Sequence, residues 1–441
     1  MGHGKNRGNA ISILRNWKQL SLASRTSRKS RRILLASLIG TTIEFFDFYI
    51  YATAAVLIFP KIFFPNQDHV TAMLQSLGTF ALAFLARPIG AVLFGHFGDR
   101  VGRKATLVTA LLTMGVSTVC IGLLPTYATI GVWAAVLLAI CRVGQGLGLG
   151  GEWGGAVLLA TENAPTGKQA WYGCFPQLGA PLGFLFSTGV FLLISSHLSN
   201  EQLLSWGWRV PFLASVSLVL VGLYVRLQLI ETLAFRQNVA KGESVRVPFL
   251  VVLTKFPREL LLGTLGATTS FVVFYIMTVF ALSWATTALD FTRDGYLMLQ
   301  MVGVLFFGLT IPISGIIADR IGGRMMLIIA TLAITAFGFS FAPLFGAHNV
   351  PSVFVFSALG FSITGFSYGP LGSALASLFP TSVRYTGMSL TYNFAGILGA
   401  SLAPYIATRL ASNYGLSYVG YYLSAAGVVT LIALLLIEEK S

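Results

Sequence analysis

Glu44, Asp47, Arg87, Arg142 and Glu152 each stand inside a long run of apolar residues. Two chemistries follow from those residue types. Apolar burial favours a neutral acid and a nearby arginine favours the carboxylate, so an acid under both influences can be poised to take up and release a proton. A buried guanidinium offers a fork of donors that fits a substrate carboxylate. Spacing adds to this. Glu44, Asp47 and Tyr51 follow i, i+3, i+7, and Arg142, Gln145, Leu149 and Glu152 fall on one stripe of a 3.6-residue helix. A second reading stays open at this level: Asp47–Arg87 and Arg142–Glu152 could be ion pairs that only hold helices together.

The elements that must position these groups are membrane spans. The chain is 55% apolar and 10% charged, against about 25% charged in ordinary soluble domains. Windows long enough to cross about 30 Å of hydrocarbon fall near 33–58, 72–97, 105–124, 131–159, 170–196, 208–228, 258–285, 295–318, 325–345, 350–377, 386–409 and 416–437. The fold class expected is therefore all-α, with twelve transmembrane helices. At about 1.5 Å per residue, Glu44, Asp47, Arg87 and Arg142 all lie near mid-membrane, as groups lining one central cavity would. Charge at that depth is costly and usually functional. Spans 7–12 hold softer polar candidates instead: Tyr275, Gln300, Tyr368 and Asn393, with Gln177 facing them from span 5.

Net charge is +14, which in a soluble protein would suggest nucleic acid; the placement of the charge points to a lipid bilayer instead. Nine Lys/Arg and no acid occupy residues 1–32, ahead of a first span too long for a cleavable signal. On these spans 23 Lys/Arg sit in the tails and even-numbered loops, and four (Lys61, Arg209, Arg293, Arg409) in or near odd-numbered ones. The positive-inside rule then puts both termini in the cytoplasm. A basic connection at 229–257 separates a six-helix unit at 33–228 from another at 258–437, leaving 438–441 as a C-terminal tail. The units echo one another. "GHFGDRVGRKATL" from Gly95 and "GIIADRIGGRMML" from Gly315 share G-x-x-x-D-R-x-G at an offset of 220 residues, and "APTGKQAWYG" echoes "FPTSVRYTG". Gly95, Asp99, Arg100, Gly102, Arg103 and Lys104, with Asp319 and Arg320, form candidate gating turns; Asp99 could cap a helix while the cations anchor at an anionic leaflet.

Gly146, Gly148 and Gly151 match the dinucleotide pattern G-x-G-x-x-G, but no strand precedes them, as a phosphate loop requires. They read as close-packing positions of span 4. "FPQLGAPLG" in span 5 and "GASLAP" in span 11 read as helix breaks. Three scattered cysteines and five histidines make no metal site, and no cofactor is expected.

"GHFGDRVGRK", "ADRIGGR" and "RVGQGLGLG" resemble signatures of the major facilitator superfamily. "IEFFDFYIY", "GQGLGLGGEWGGA" and "SWGWRVPF" are similar, more narrowly, to its metabolite:proton symporter family, which includes bacterial carriers for shikimate, 2-oxoglutarate, citrate and proline/betaine. The likeness spans roughly residues 33–437. It departs at Leu233, where the family often has proline, and at Gly323, which replaces an arginine of the second loop. A long coiled-coil tail, as in the osmosensing carriers, does not follow "IEEKS".

The resemblance implies two pseudo-symmetric six-helix bundles in a bacterial inner membrane, working by alternating access. It implies proton-coupled uptake of a small polar metabolite, an organic acid or a zwitterion, with proton-independent facilitation or exchange as the alternative. Arg142 and Gln145 match the R-x-x-Q-G motif implicated in proton coupling. The expected proton-coupling set is Asp47, Glu44, Arg142 and Glu152. The expected substrate-binding set is Arg87, Tyr51, Gln145, Gln177, Tyr275, Gln300, Tyr368 and Asn393. A membrane-embedded enzyme would need a nucleophile–base pair or a metal cluster, and a sensor would need a signalling domain; neither is visible. The expected partners are the metabolite, the proton and the lipid bilayer, without nucleic acid; a monomer is compatible with all of this.

Overall fold

The structure, a computed structural model, describes residues 34–101, 103–227 and 248–438, without the side chains of 95–101 and 103–107. The basic tail at 1–32, Gly102 and residues 229–247 of the connection lie outside the described residues, as do the side chains of Gly95, Asp99, Arg100, Arg103 and Lys104. Twelve long helices run in order: α1 (Leu34–Leu57), α2 (His69–Val101), α3 (Arg103–Leu123), α4 (Trp133–Glu162), α5 (Gln169–His197), α6 (Arg209–Leu227), α7 (Pro257–Ala288), α8 (Arg293–Ile321), α9 (Gly323–Ala347), α10 (Val350–Ser377), α11 (Arg384–Tyr414) and α12 (Leu416–Leu436). Eleven are long and apolar enough to cross a membrane, and α3 adds a shorter apolar stretch at Val108–Leu123. No strand occurs among the described residues.

The expected spans match these helices with shifts of a few residues. The largest is at the end of α11, which runs to Tyr414 instead of 409; α2 stays helical through Val101 instead of 97. Part of the connection at 229–257 is also helical: Pro248–Lys255 buries Val252 against Leu260, Phe379, Val383 and Leu390.

Several helices are interrupted. α4 breaks at Gly150–Gly151 and α5 at Leu178, just after Pro176. α7 and α11 each contain a π-turn, at Ile276–Phe280 and Ile397–Ser401. Proline removes a backbone donor and a π-turn offsets the i→i−4 ladder, so each interruption frees carbonyls for other partners. The breaks expected in spans 5 and 11 are present. Those in α4 and α7 are additional.

The glycines of α4 act as close-packing sites. A Cβ at Gly146 would strike the Ala83 carbonyl, and one at Gly150 the Arg87 carbonyl; one at Gly90 of α2 would strike Leu147. The α2 and α4 backbones therefore meet without side chains between them, which sets Arg87 and Arg142 into one compact wall. Away from such seams the surface is apolar, with Ile89, Leu123, Leu220, Leu309 and Leu435 exposed as lipid-facing residues should be.

Helix starts on one face carry local caps. Asp68 accepts from Val70 and Thr71 N–H groups before α2, and Asn349 caps α10 through Ser352 N–H. Those bonds also hold the exposed Asp68 carboxyl below its ordinary range, the Thr71 hydroxyl contributing most. On the opposite face, which carries Lys168, Arg320 and Arg384 and is called the basic face below, α5 starts differently. Lys168 gives no side-chain cap. The cap comes from the other half of the molecule: Asp319 accepts from Ala170 N–H at 2.8 Å and from Trp171 N–H at 3.0 Å.

The α2–α4 seam generates a paired prediction. Gly146→Ala should destabilise the purified protein by about 1–3 kcal/mol, read as a lowered thermal-unfolding midpoint. Gly78→Ala, with nothing within 4 Å of an added Cβ, should be neutral or slightly stabilising.

Candidate functional site

Arg226, in the last turn of α6, holds two acids at once. Its Nη1 and Nη2 donate to Glu152 Oε1 and Oε2 at 2.6 and 2.7 Å, and Nη2 also reaches Glu44 Oε1 at 2.9 Å. All three residues are buried. This corrects the pairing considered from sequence. Glu152 does not bond to Arg142, and Asp47 does not bond to Arg87. The single helical stripe Arg142–Gln145–Leu149–Glu152 is also corrected, because the break at Gly150–Gly151 separates Glu152 from the rest.

Arg142 is fully buried without an acid partner among the described contacts. Nη1 donates to Gln145 Oε1 at 2.7 Å and Nη2 to the Phe80 carbonyl at 2.9 Å. Its guanidinium carbon lies 3.7 Å from the Tyr51 ring centroid, so an aromatic face takes the place of a counter-ion. Gln145 passes its amide to Thr118, and the Tyr51 hydroxyl is tied to Thr79 at 2.7 Å. Asp47 is 0% exposed, and neither carboxyl oxygen has a hydrogen-bond partner; the Thr118 hydroxyl adjoins it.

Arg87 lies between two rings, with Cζ 4.6 Å from the Phe48 centroid and 4.5 Å from that of Phe84. Its Nε–H is buried and unpaired. Beside it is a cavity of about 340 Å³, counting the space at its mouth, lined by Glu44, Phe45, Phe48, Arg87, Leu149, Trp153, Tyr392 and Asn393. The interior admits only about one or two waters, so little open space adjoins the charged wall there. A second cavity, of about 240 Å³, is lined by Tyr49, Thr53, Phe184, Thr278 and Gln300 among others. There Gln300 Nε2 fastens the π-turn of α7 through the Met277 and Thr278 carbonyls, while Oε1 stays unpaired.

The α4 break is a latch between halves. Asn393 Nδ2 donates to the Gly150 carbonyl at 3.0 Å, and the Tyr385 hydroxyl donates to that of Gly151. Trp153 stacks on Tyr392 with centroids 3.5 Å apart and gives its Nε1–H to Gln177, whose Nε2 bonds the Tyr368 carbonyl. The Tyr368 and Tyr392 hydroxyls bond each other at 3.0 Å. Cys174 of α5, also buried, donates to the Ile311 carbonyl. The carbonyls freed by the break thus receive donors from α11, and Glu152 is the next residue after it.

A buried charge wall thus adjoins a cavity lined by residues of both halves. The family model of the Major Facilitator Superfamily matches residues 37–404. The chain belongs to the major facilitator superfamily. It is 57% identical over 413 residues to the inner membrane metabolite transport protein YhjE of Escherichia coli K12, covering 92% of this chain and 94% of that one. It is 36% identical over 420 residues to the shikimate transporter of the same organism, covering 93% and 95%. The proton:xylose symporter XylE, solved with 6-bromo-6-deoxy-D-glucose, superimposes with a TM-score of 0.72 at 17% identity, covering 93% and 95%. This protein is a multi-pass metabolite transporter, not an enzyme.

Of the transporter's sequence-predicted residues, Glu44, Arg87 and Asn393 line the first cavity and Gln300 the second. Tyr51, Gln145, Gln177 and Tyr368 are bonded into the walls, and Tyr275 packs against Phe48, Phe80 and Phe84. Asp319 works across the halves. Arg226, Trp153, Tyr385 and Tyr392 were not expected. Arg226 fell within span 6, but at the end where the positive-inside rule already accounted for it.

If the latch keeps the basic face closed, weakening it should expose Cys174. In a Cys120→Ser/Cys141→Ser background, Tyr385→Phe and Asn393→Ala should each raise labelling of Cys174 by a membrane-impermeant maleimide several-fold. Unchanged labelling would remove these bonds from the gate.

Proposed function

We propose that this transporter takes up a small carboxylate-bearing metabolite, an organic acid or a zwitterion, together with a proton. In this reading the basic face is cytoplasmic, and the bundles at 33–228 and 258–437 rock about the central cavity while residues 229–257 link them. The observation that carries it is unpaired charge in the first half: the Arg87 Nε–H beside the cavity and both Asp47 carboxyl oxygens are buried without hydrogen-bond partners, whereas Arg142, whose Nε is also unpaired, keeps two bonds through Nη1 and Nη2.

Closing the protein around an uncompensated charge is expensive. A substrate carboxylate satisfies Arg87 through charge-assisted hydrogen bonds. A proton satisfies Asp47, which has no cation to pair with when the cavity is shut. Only the carrier loaded with both is free of that penalty, so solute and proton cross together. Arg142 belongs to the same wall; its aromatic and carbonyl contacts hold its charge through the cycle and leave Arg87 as the substrate anchor. Gln300 and Asn393 offer hydrogen bonds from the second half. Asp319 at the head of α5, with Arg320, the residues Gly95, Asp99, Arg100, Gly102, Arg103 and Lys104 where α2 gives way to α3, and the α4–α11 latch, would govern opening to the cytoplasm.

The test is uptake into proteoliposomes of a panel holding shikimate, 2-oxoglutarate, citrate, proline and glycine betaine. An inward pH gradient should drive accumulation of at least one of them. Asp47→Asn should abolish gradient-driven accumulation yet keep solute exchange. Arg87→Lys should weaken solute binding by about tenfold or more, because a point charge replaces the fork. Equal uptake with and without the gradient would replace symport by facilitated diffusion or exchange.

A further inference from the structure

The group formed by Glu44, Glu152 and Arg226 is not explained by a single transported proton on Asp47. Glu152 takes both arms of the guanidinium, and Glu44 shares one of them. The two carboxyls meet on one nitrogen: Arg226 Nη2 lies 2.7 Å from Glu152 Oε2 and 2.9 Å from Glu44 Oε1. Ionised carboxylates only accept hydrogen bonds, so two of them in contact repel unless a proton lies between. Within the bonded trio, charge balance says the same: two carboxylates against one guanidinium leave one negative charge in a buried place, and one proton removes it. Among the described residues, Arg226 from α6 bonds the pair, and Arg87 from α2 and Tyr392 from α11 line the same cavity as Glu44.

We propose that Glu44 and Glu152 hold one proton between them, clamped by Arg226, as a proton-binding site separate from Asp47, and that filling Arg87 with a substrate carboxylate tightens it. The consequence for transport rests on the symport reading above; the site itself does not. Arg87 is the cation that faces Glu44 across the cavity. When a substrate carboxylate neutralises it, the pair loses a positive neighbour that favoured its ionised form, so its proton is held more firmly. By linkage, the proton on the pair favours substrate at Arg87 equally. Glu152 follows directly on the Gly150–Gly151 latch, so loss of this proton places a repulsive pair beside the bonds that close the basic face.

Infrared difference spectroscopy of the purified protein, stepped between about pH 5 and 9, where solvated carboxylates stay ionised, tests this without any substrate. Asp47→Asn should retain a titrating protonated-carboxyl C=O band. That band should vanish in both Asp47→Asn/Glu44→Gln and Asp47→Asn/Glu152→Gln, because a single carboxylate left on Arg226 stays ionised. In Asp47→Asn/Arg87→Gln the band's midpoint should move to higher pH, by about one unit. Loss of all titrating bands in Asp47→Asn alone, or persistence of the band in both double variants, would overturn the proposal. A midpoint unmoved by Arg87→Gln would overturn the link to the substrate site. Thermal unfolding of each variant confirms that it is folded. Failure here leaves gradient-driven uptake untouched, and failure of symport leaves the band assignment untouched.

Discussion

Charge in hydrocarbon must find a counter-charge, a hydrogen bond or a proton, and the first six helices are arranged around that requirement. Arg226 meets it for two glutamates at once. Arg142 meets it with an aromatic face and two acceptors, although its Nε stays unpaired. Arg87 and Asp47 meet it only in part. A fully satisfied network would be inert scaffolding. In the proposed symport reading, an incompletely satisfied one makes the closed state depend on what the cavity holds, as coupling two solutes demands.

Helix breaks bring that wall to the contact between halves. Gly146 and Gly150 bring α2 and α4 into backbone contact, so Arg87 and the charged stretch of α4 share one seam. The interruption at Gly150–Gly151 turns two carbonyls towards Asn393 and Tyr385 of α11. The same few residues therefore join the charge wall to the contact between halves. Asp319, capping α5 from α8, is a second tie on that face. Both are backbone bonds at helix interruptions or ends, where carbonyls or N–H groups lack partners of their own.

Much of this was legible in the sequence. Charges inside apolar runs stand out in composition, so Glu44, Asp47, Arg87, Arg142 and Glu152 could be named, and a common depth for the first four was expected from a helical rise. Twelve spans and the repeated G-x-x-x-D-R-x-G turns gave the fold class. Pairing was not legible. Periodicity says which residues share a face of one helix, not which neighbour that face meets, so Glu152 went to Arg142 on paper and to Arg226 in the structure. Arg226 was masked by its position at a span end, where a basic residue needs no special explanation. The α4 break was hidden because its glycines serve close packing as well. Tyr392 carried no signal apart from any other buried tyrosine, yet it stacks on Trp153 in the cavity wall.

The central claim is that solute cannot cross without a proton. The most direct measurement is external pH in a lightly buffered suspension of right-side-out proteoliposomes, with membrane potential clamped, on adding the panel solute that accumulates. The account predicts an immediate external alkalinisation that is lost in Asp47→Asn although solute exchange continues. Solute entry into wild-type vesicles with no change in external pH would contradict it.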